Sequence, residues 1–167
     1  ATTYTLISSQ TLTGTQASVT FSSIVSTYTD LLLKVSSRLD KNDATTAAET
    51  DIQFNGVSTN LSGCYIYGFN ASTASSTNVP FLRSDPSDYT ASTFANSEIY
   101  IPNYAGSTNK SFSVDSVTEN NAGASYTMFL SGLWSSTAAI TSITLINAAS
   151  ANFVSGSTFY LYGIKNS

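Results

Sequence analysis

An all-β chain is predicted, an antiparallel β-sandwich of jelly-roll-like form, and three observations predict it. Apolar and polar residues alternate with period two through most of the sequence, as they do in half-buried strands. These stretches are rich in Tyr, Phe, Val and Thr, side chains that suit a pleated surface. No segment joins helix caps to an apolar stripe of period 3.6.

Taken in order, Val19 and Phe21 alternate with Ser18 and Thr20. Leu31, Leu33 and Val35 share one face, while Lys34 and Ser36 point away. Ile52 and Phe54 lead into Asn55-Gly56, a strong two-residue turn signal. Tyr65, Tyr67 and Phe69 form one face of the next strand, with Cys64 and Ile66 on the other. Ile99 and Ile101 oppose Glu98 and Tyr100, and Phe112 and Val114 oppose Ser113 and Asp115. The late strands run Tyr126 to Trp134, Ile140 to Ile146 and Thr158 to Ile164. Two polar stretches, Lys41 to Thr50 and Asn70 to Asn78, read as loops, and Ser84 to Ser92 reads as a turn around Asp85-Pro86. With 167 residues, one domain spanning 1–167 is expected. An alanine in first position fits removal of an initiator methionine, so a whole small protein is expected.

Composition narrows the function. Charged residues are only 10% of the chain, and the net charge is −4. The six bases are Lys34, Arg38, Lys41, Arg83, Lys110 and Lys165, and Asp40 and Asp43 offset the only cluster among them. Binding to nucleic acid or to an anionic membrane, each of which needs a basic patch, is not expected. No apolar run approaches the roughly 20 residues that cross a bilayer.

There is no histidine, which removes the usual proton carrier at neutral pH. Ser107 and Lys110 make a Ser-x-x-Lys pair, but in a polar turn and without companion motifs. Cys64 stands alone, so no intrachain disulfide forms, and in an aromatic strand it is expected to be a small buried hydrophobe. The carboxylate pairs Asp40/Asp43, Glu49/Asp51 and Asp85/Asp88 fall in loops or at strand ends, where carboxylates are ordinarily solvated. Zinc lacks ligands, and Asp40-Lys41-Asn42-Asp43 does not fit an EF-hand. No enzyme, metal or cofactor is therefore expected. Trp134, the one tryptophan, is expected in the core. Tyr65, Tyr67 and Tyr104 are the expected loop contacts, because tyrosine suits both sugar rings and subunit interfaces.

Four segments together carry a resemblance. They are Thr5 to Phe21, Tyr28 to Arg38, Glu98-Ile-Tyr-Ile-Pro-Asn-Tyr-Ala-Gly-Ser107, and Gly132-Leu-Trp through Ile140–Leu145 to Gly156–Ile164. The chain thereby resembles small virion proteins of tailed bacteriophages, with similarity to those of phages infecting cyanobacteria. The resemblance covers most of the chain except Lys41 to Ser92. It implies a jelly-roll-like sandwich, usually a homotrimer, acting as a head decoration (cement) protein, head fibre or tail-fibre part. It carries over no catalytic residue. The expectation that follows is a capsid decoration protein on the outside of the virion head, with the major capsid protein as partner. The N-terminal segment 1–10, with Tyr4, Leu6 and Ile7, would be an anchoring arm that adds to an exposed strand edge. The alternative is the receptor- or glycan-binding head of a phage fibre, and an enzyme acting on surface polysaccharide ranks third.

Overall fold

The computed structural model describes residues 3–42, 48–69, 72–76, 81–121, 125–147 and 150–165. The strands are β1 (Tyr4–Thr11), β2 (Ser18–Phe21), β3 (Asp30–Ser37), β4 (Ala48–Phe54), β5 (Leu61–Phe69) and β6 (Ser72–Ser76). They continue as β7 (Leu82–Ser84), β8 (Ala95–Ile101), β9 (Lys110–Glu119), β10 (Ser125–Trp134), β11 (Ile143–Asn147) and β12 (Thr158–Ile164). No α-helix occurs among the described residues. The strands form two antiparallel sheets, ordered β1-β12-β3-β8-β9-β10-β5-β6 and β2-β11-β4-β7.

The order has a simple origin. Eight strands pair as one long hairpin would: β1 with β12, β2 with β11, β3 with β8 and β4 with β7. That hairpin is wound up, so β12 also bonds β3 and β11 also bonds β4. The other four strands, β5, β6, β9 and β10, extend only the larger sheet.

Alternation decides which side chains enter the space between the sheets. In β9 every second residue from Lys110 to Thr118 is buried and every intervening one exposed. Phe54 of the smaller sheet meets Phe112 edge-on at 5.4 Å and Trp134 at 5.5 Å, both from the larger sheet. Gly132 lies opposite Phe112 in register, and a Cβ there would collide with the Phe112 ring. The glycine is thus the space that the ring fills. Asn55 and Gly56 have φ of 54° and 77°, the left-handed pair that a tight hairpin turn requires. Phe54 and Val57 exchange both backbone hydrogen bonds across that turn, at 3.2 and 3.1 Å.

Serine closes one open edge. β7 ends the smaller sheet, where an unpaired strand edge would invite other chains. Instead the Arg83 N–H donates to Ser116 Oγ at 3.0 Å, and Ser97 Oγ donates to the Arg83 carbonyl at 3.4 Å. Ser97 and Ser116 are themselves 2.6 Å apart and buried. Both point inward from the larger sheet, and only a small side chain lets β7 come so close.

Several expectations need correcting. Asn70 to Asn78 is not all loop, since Ser72–Ser76 is β6, paired with β5. Its backbone ladder needs no apolar alternation, so the sequence carried no strand signal. Likewise Glu49 and Thr50 belong to β4 and Ser84 to β7; residues 43–47 lie outside the described residues. The expected strand from Ile140 begins only at Ile143. The segment 1–10 is not a free arm, because Tyr4–Thr11 already pairs with β12 as a strand of the chain's own sheet. Residues 1 and 2 lie outside the described residues.

Phe54→Ala should cost about 3–5 kcal/mol, because the contact joining the two sheets is lost. Urea unfolding measures it, as a lower midpoint at unchanged slope.

Candidate binding surface

The outer face of the eight-stranded sheet holds the candidate site. Cross-strand register lines up Ser131, Ser113, Tyr100, Leu32, Tyr162 and Leu6 in one row. The next row holds Ile66, Phe129, Asp115, Glu98, Lys34 and Tyr160. Eight large hydrophobic side chains among the described residues are exposed, and six of these lie on this face. They fall into two groups of three. Tyr4, Leu6 and Tyr100 sit at one end, and Ile66, Val117 and Phe129 at the other. Phe129 on β10 and Tyr162 on β12 are four strands apart, roughly 19 Å at ordinary strand spacing, while Tyr100 on β8 lies two strands from Phe129.

The tyrosine end encloses a depression. A cavity of about 310 Å³ is lined by Tyr4, Leu32, Lys34, Glu98 and Tyr162. Leu32 points outward in β3 yet is only 6% exposed, because the larger side chains on neighbouring strands close around it. Lys34 Nζ lies 2.9 Å from Glu98 Oε2, and the bond from the ammonium to this carboxylate raises the Lys34 pKa. The Tyr100 hydroxyl donates to Asp30 Oδ2 at 2.8 Å, which raises its own pKa. Asp30 Oδ1 accepts the Asn103 N–H at 2.9 Å, so the carboxylate is held from both sides.

The opposite end is apolar. Ile66 and Phe129 face each other directly in register and are 60% and 55% exposed. Cys64, Ser113 and Ser131 line the same shallow depression. The Cys64 thiol is exposed, not buried as expected, because Cys64 shares the outward face of β5 with Ile66.

The sequence-predicted contacts divide sharply. Tyr4 and Leu6 are exposed on the outer face, beside Tyr162. Ile7 is not. It is the extra residue of a β-bulge between Leu6 and Ser8 and packs against the core. Tyr104 is fully buried, with its hydroxyl on the Val25 carbonyl and its pKa raised by burial. It is therefore no loop contact. Tyr65 is buried as well, since it sits on the inward parity of β5. Tyr67 stacks on Tyr126 with ring centroids 5.1 Å apart, and Arg83 lies over the Tyr126 ring at 4.3 Å. Burial pushes the Tyr126 hydroxyl up to about 12. These tyrosines build the interior. Ile66 and Phe129 were missed as contacts, although apolar residues on the outward parity of amphipathic strands were the available signal.

Several of the groups weighed for chemistry have structural partners. Lys110 is 1% exposed and donates to the carbonyls of Gly106, Thr108 and Ser136 at 2.6, 2.7 and 3.4 Å. Burial lowers its pKa. Both Asp40 oxygens accept from Asn152 at 2.8 Å, which lowers the Asp40 pKa. Glu49 bonds Arg83 at 3.1 Å, while burial, and then the Glu49 charge, raise the pKa of Asp51. Among the described residues no three Cys, Asp or Glu side chains gather as a metal site, and no helix is long and apolar enough to cross a membrane.

The expected turn at Ser84–Ser92 is tied down by Arg38. Its guanidinium donates to the carbonyls of Ser87, Tyr89, Thr90 and Thr93 at 2.9–3.1 Å. Beside it Asp85 is 1% exposed, and its Oδ1 has no hydrogen-bond partner. Burial raises its pKa, against the opposing pull of Thr93 and Arg38. Compared with protein families, with characterised proteins and with solved structures, the chain finds no match.

A raised folded-state pKa means that Asp85 favours folding below its unfolded pKa, and that this contribution is lost as pH rises through the folded one. Asp85→Asn should therefore be more stable than the parent at pH 7, with the gap narrowing toward pH 3. Thermal unfolding across that range measures both.

Proposed function

We propose that this is a structural protein of a phage virion: a capsid decoration protein that binds the major capsid protein on the outside of the head, as a homotrimer. The phage setting comes from the sequence resemblance. The docking mode comes from the structure, and one observation carries it. Ile66, Phe129 and Val117 form an exposed apolar patch on a flat sheet face that is otherwise mostly hydroxyl and amide. Such patches on soluble domains mark interaction sites, and Asp115, opposite Phe129 in register, is a charge that the partner has to meet. Many copies on one closed shell would reinforce modest individual contacts.

The long wound hairpin of β1–β4, β7, β8, β11 and β12 supports the finer reading of the sandwich as a jelly roll, a frequent fold of virion proteins. In that reading β5–β6 and β9–β10 are two insertions that widen one sheet and supply the docking patch. Tyr4 and Leu6, the expected anchors, lie at the far end of the face, and the bulge at Ile7 interrupts the free edge of β1 against strand addition. The proposed contact is therefore the face of the sheet at β5, β9 and β10.

Phe129→Asp and Ile66→Asp test it, since both side chains are more than half exposed and little folding stability is at stake. Undecorated heads incubated with parent protein should bind it, and with either variant occupancy should fall at least tenfold at equal concentration. Undiminished occupancy, or parent protein that binds host cells and leaves heads bare, would overturn the proposal.

A further inference from the structure

The geometry points to a second binding site, independent of the docking patch: the cavity between Tyr4 and Tyr162 takes one ring of a neutral saccharide. Its floor is Leu32, its sides are two tyrosines, and its rim is the Lys34–Glu98 ion pair. A pyranose has the matching division of chemistry. Its C–H face can lie on tyrosine and leucine, while its hydroxyls both donate and accept. The cavity volume, about 310 Å³, lies at the lower end of the range for small-molecule sites.

Charge selects a neutral ligand. Lys34 and Glu98 neutralise each other at 2.9 Å, and Asp115 faces Glu98 across the next pair of strands. An anion would meet two carboxylates, and a cation would compete with Lys34 for Glu98. A polyol needs neither rearrangement. It can donate to the free lone pairs of Glu98 and accept from the remaining ammonium hydrogens of Lys34. Both side chains are about half exposed (53% and 47%), and exposed pairs of this kind hold each other only weakly, so they can turn toward a ligand.

The floor is already assembled without ligand. Leu32 is covered although it points outward, and Tyr100 is fixed through Asp30. Leu32 and Tyr100 therefore have little side-chain freedom left to lose on binding, whereas Lys34 and Glu98 are ordered only by each other. Among the described residues the docking patch has no such arrangement, with no ion pair at its rim and no buried floor on the outward face.

The protein should be screened against an array of neutral glucose-, galactose-, mannose- and N-acetylglucosamine-containing oligosaccharides, beside sialylated and sulfated ones. Binders are then titrated by NMR on the Leu32 methyl signals. A neutral oligosaccharide should shift those signals, and Tyr162→Ala should weaken it about tenfold or more. Tyr162→Phe, which keeps the ring, should retain binding, as should Phe129→Asp. Glu98→Gln should weaken binding severalfold. The inference is overturned if no neutral saccharide binds, if only anionic ones do, or if Tyr162→Ala binds as the parent does. A loss of binding caused by misfolding is recognised by the Tyr162→Phe control and by the unfolding midpoint. Occupancy on heads is read separately, so failure of the cleft leaves the docking proposal standing.

Discussion

The two sheets differ in width, eight strands against four, and most features of the molecule answer that mismatch. The smaller sheet covers the inner face of the larger over its middle, where Phe54 is pressed between Phe112 and Trp134. Toward β5 the cover thins, and exposure rises along that strand from Tyr65 to Phe69. The chain meets the gap with aromatic rings stacked on one another: Tyr67 on Tyr126, and Phe69 tilted against Tyr126 at 5.9 Å. Arg83 then lies on Tyr126 and carries its charge out to Glu49. Tyrosine suits this place because its ring can be buried while its hydroxyl finds a polar partner.

Polar residues at the interior are arranged to finish edges, not to perform reactions. Thr50 bonds Asn147 at 2.8 Å and Ser84 at 3.0 Å, and Ser84 bonds Ser37 at 2.6 Å, all buried. This seam continues the closure of β7 by Ser97 and Ser116 and ties both sheets together, Ser37 in the larger to Ser84 in the smaller. Each bond adds only about 0.5–1.5 kcal/mol net, but an orphaned buried hydroxyl costs more. A seam satisfied along its length therefore fixes one relative position of the sheets. Lys110 follows the same logic, with three backbone carbonyls receiving its ammonium.

The sequence showed the strands wherever one face is buried and the other wet. β8, β9 and β10 alternate without a break, and the Asn55-Gly56 turn was legible for the same local reason. It did not show β6, a run of Ser, Thr and Ala without apolar alternation that pairs with β5. Nor did it show that Ser97 and Ser116 point inward, although they share parity with Ile99 and Val114; serine reads as exposed until a strand edge needs it. The binding surface was legible only in part. Tyr4 and Leu6 do face outward, but Tyr65 and Tyr104 satisfy the core. Which tyrosine meets solvent depends on sheet width, and width comes from strand pairings far apart in the chain. The Lys34–Glu98 pair and Leu32 meet for the same non-local reason, through the β3–β8 register.

The outer face then carries two areas of different chemistry. At the β5–β10 end, apolar side chains border a shallow depression, a shape that needs a broad partner to exclude water from all of it at once. At the β1–β12 end, aromatic walls rise around a covered leucine and a self-neutralised ion pair, a shape that a single small ring can fill. The two lie side by side on one sheet, the cleft reaching as far as Glu98 on β8 and the patch beginning with Val117 on the neighbouring β9. The four strands that overextend the larger sheet carry all three residues of the patch: Ile66 on β5, Val117 on β9 and Phe129 on β10. A sheet of only the four strands β1, β12, β3 and β8 would keep the cleft, since all five of its lining residues lie on those strands. It would lose the docking patch entirely.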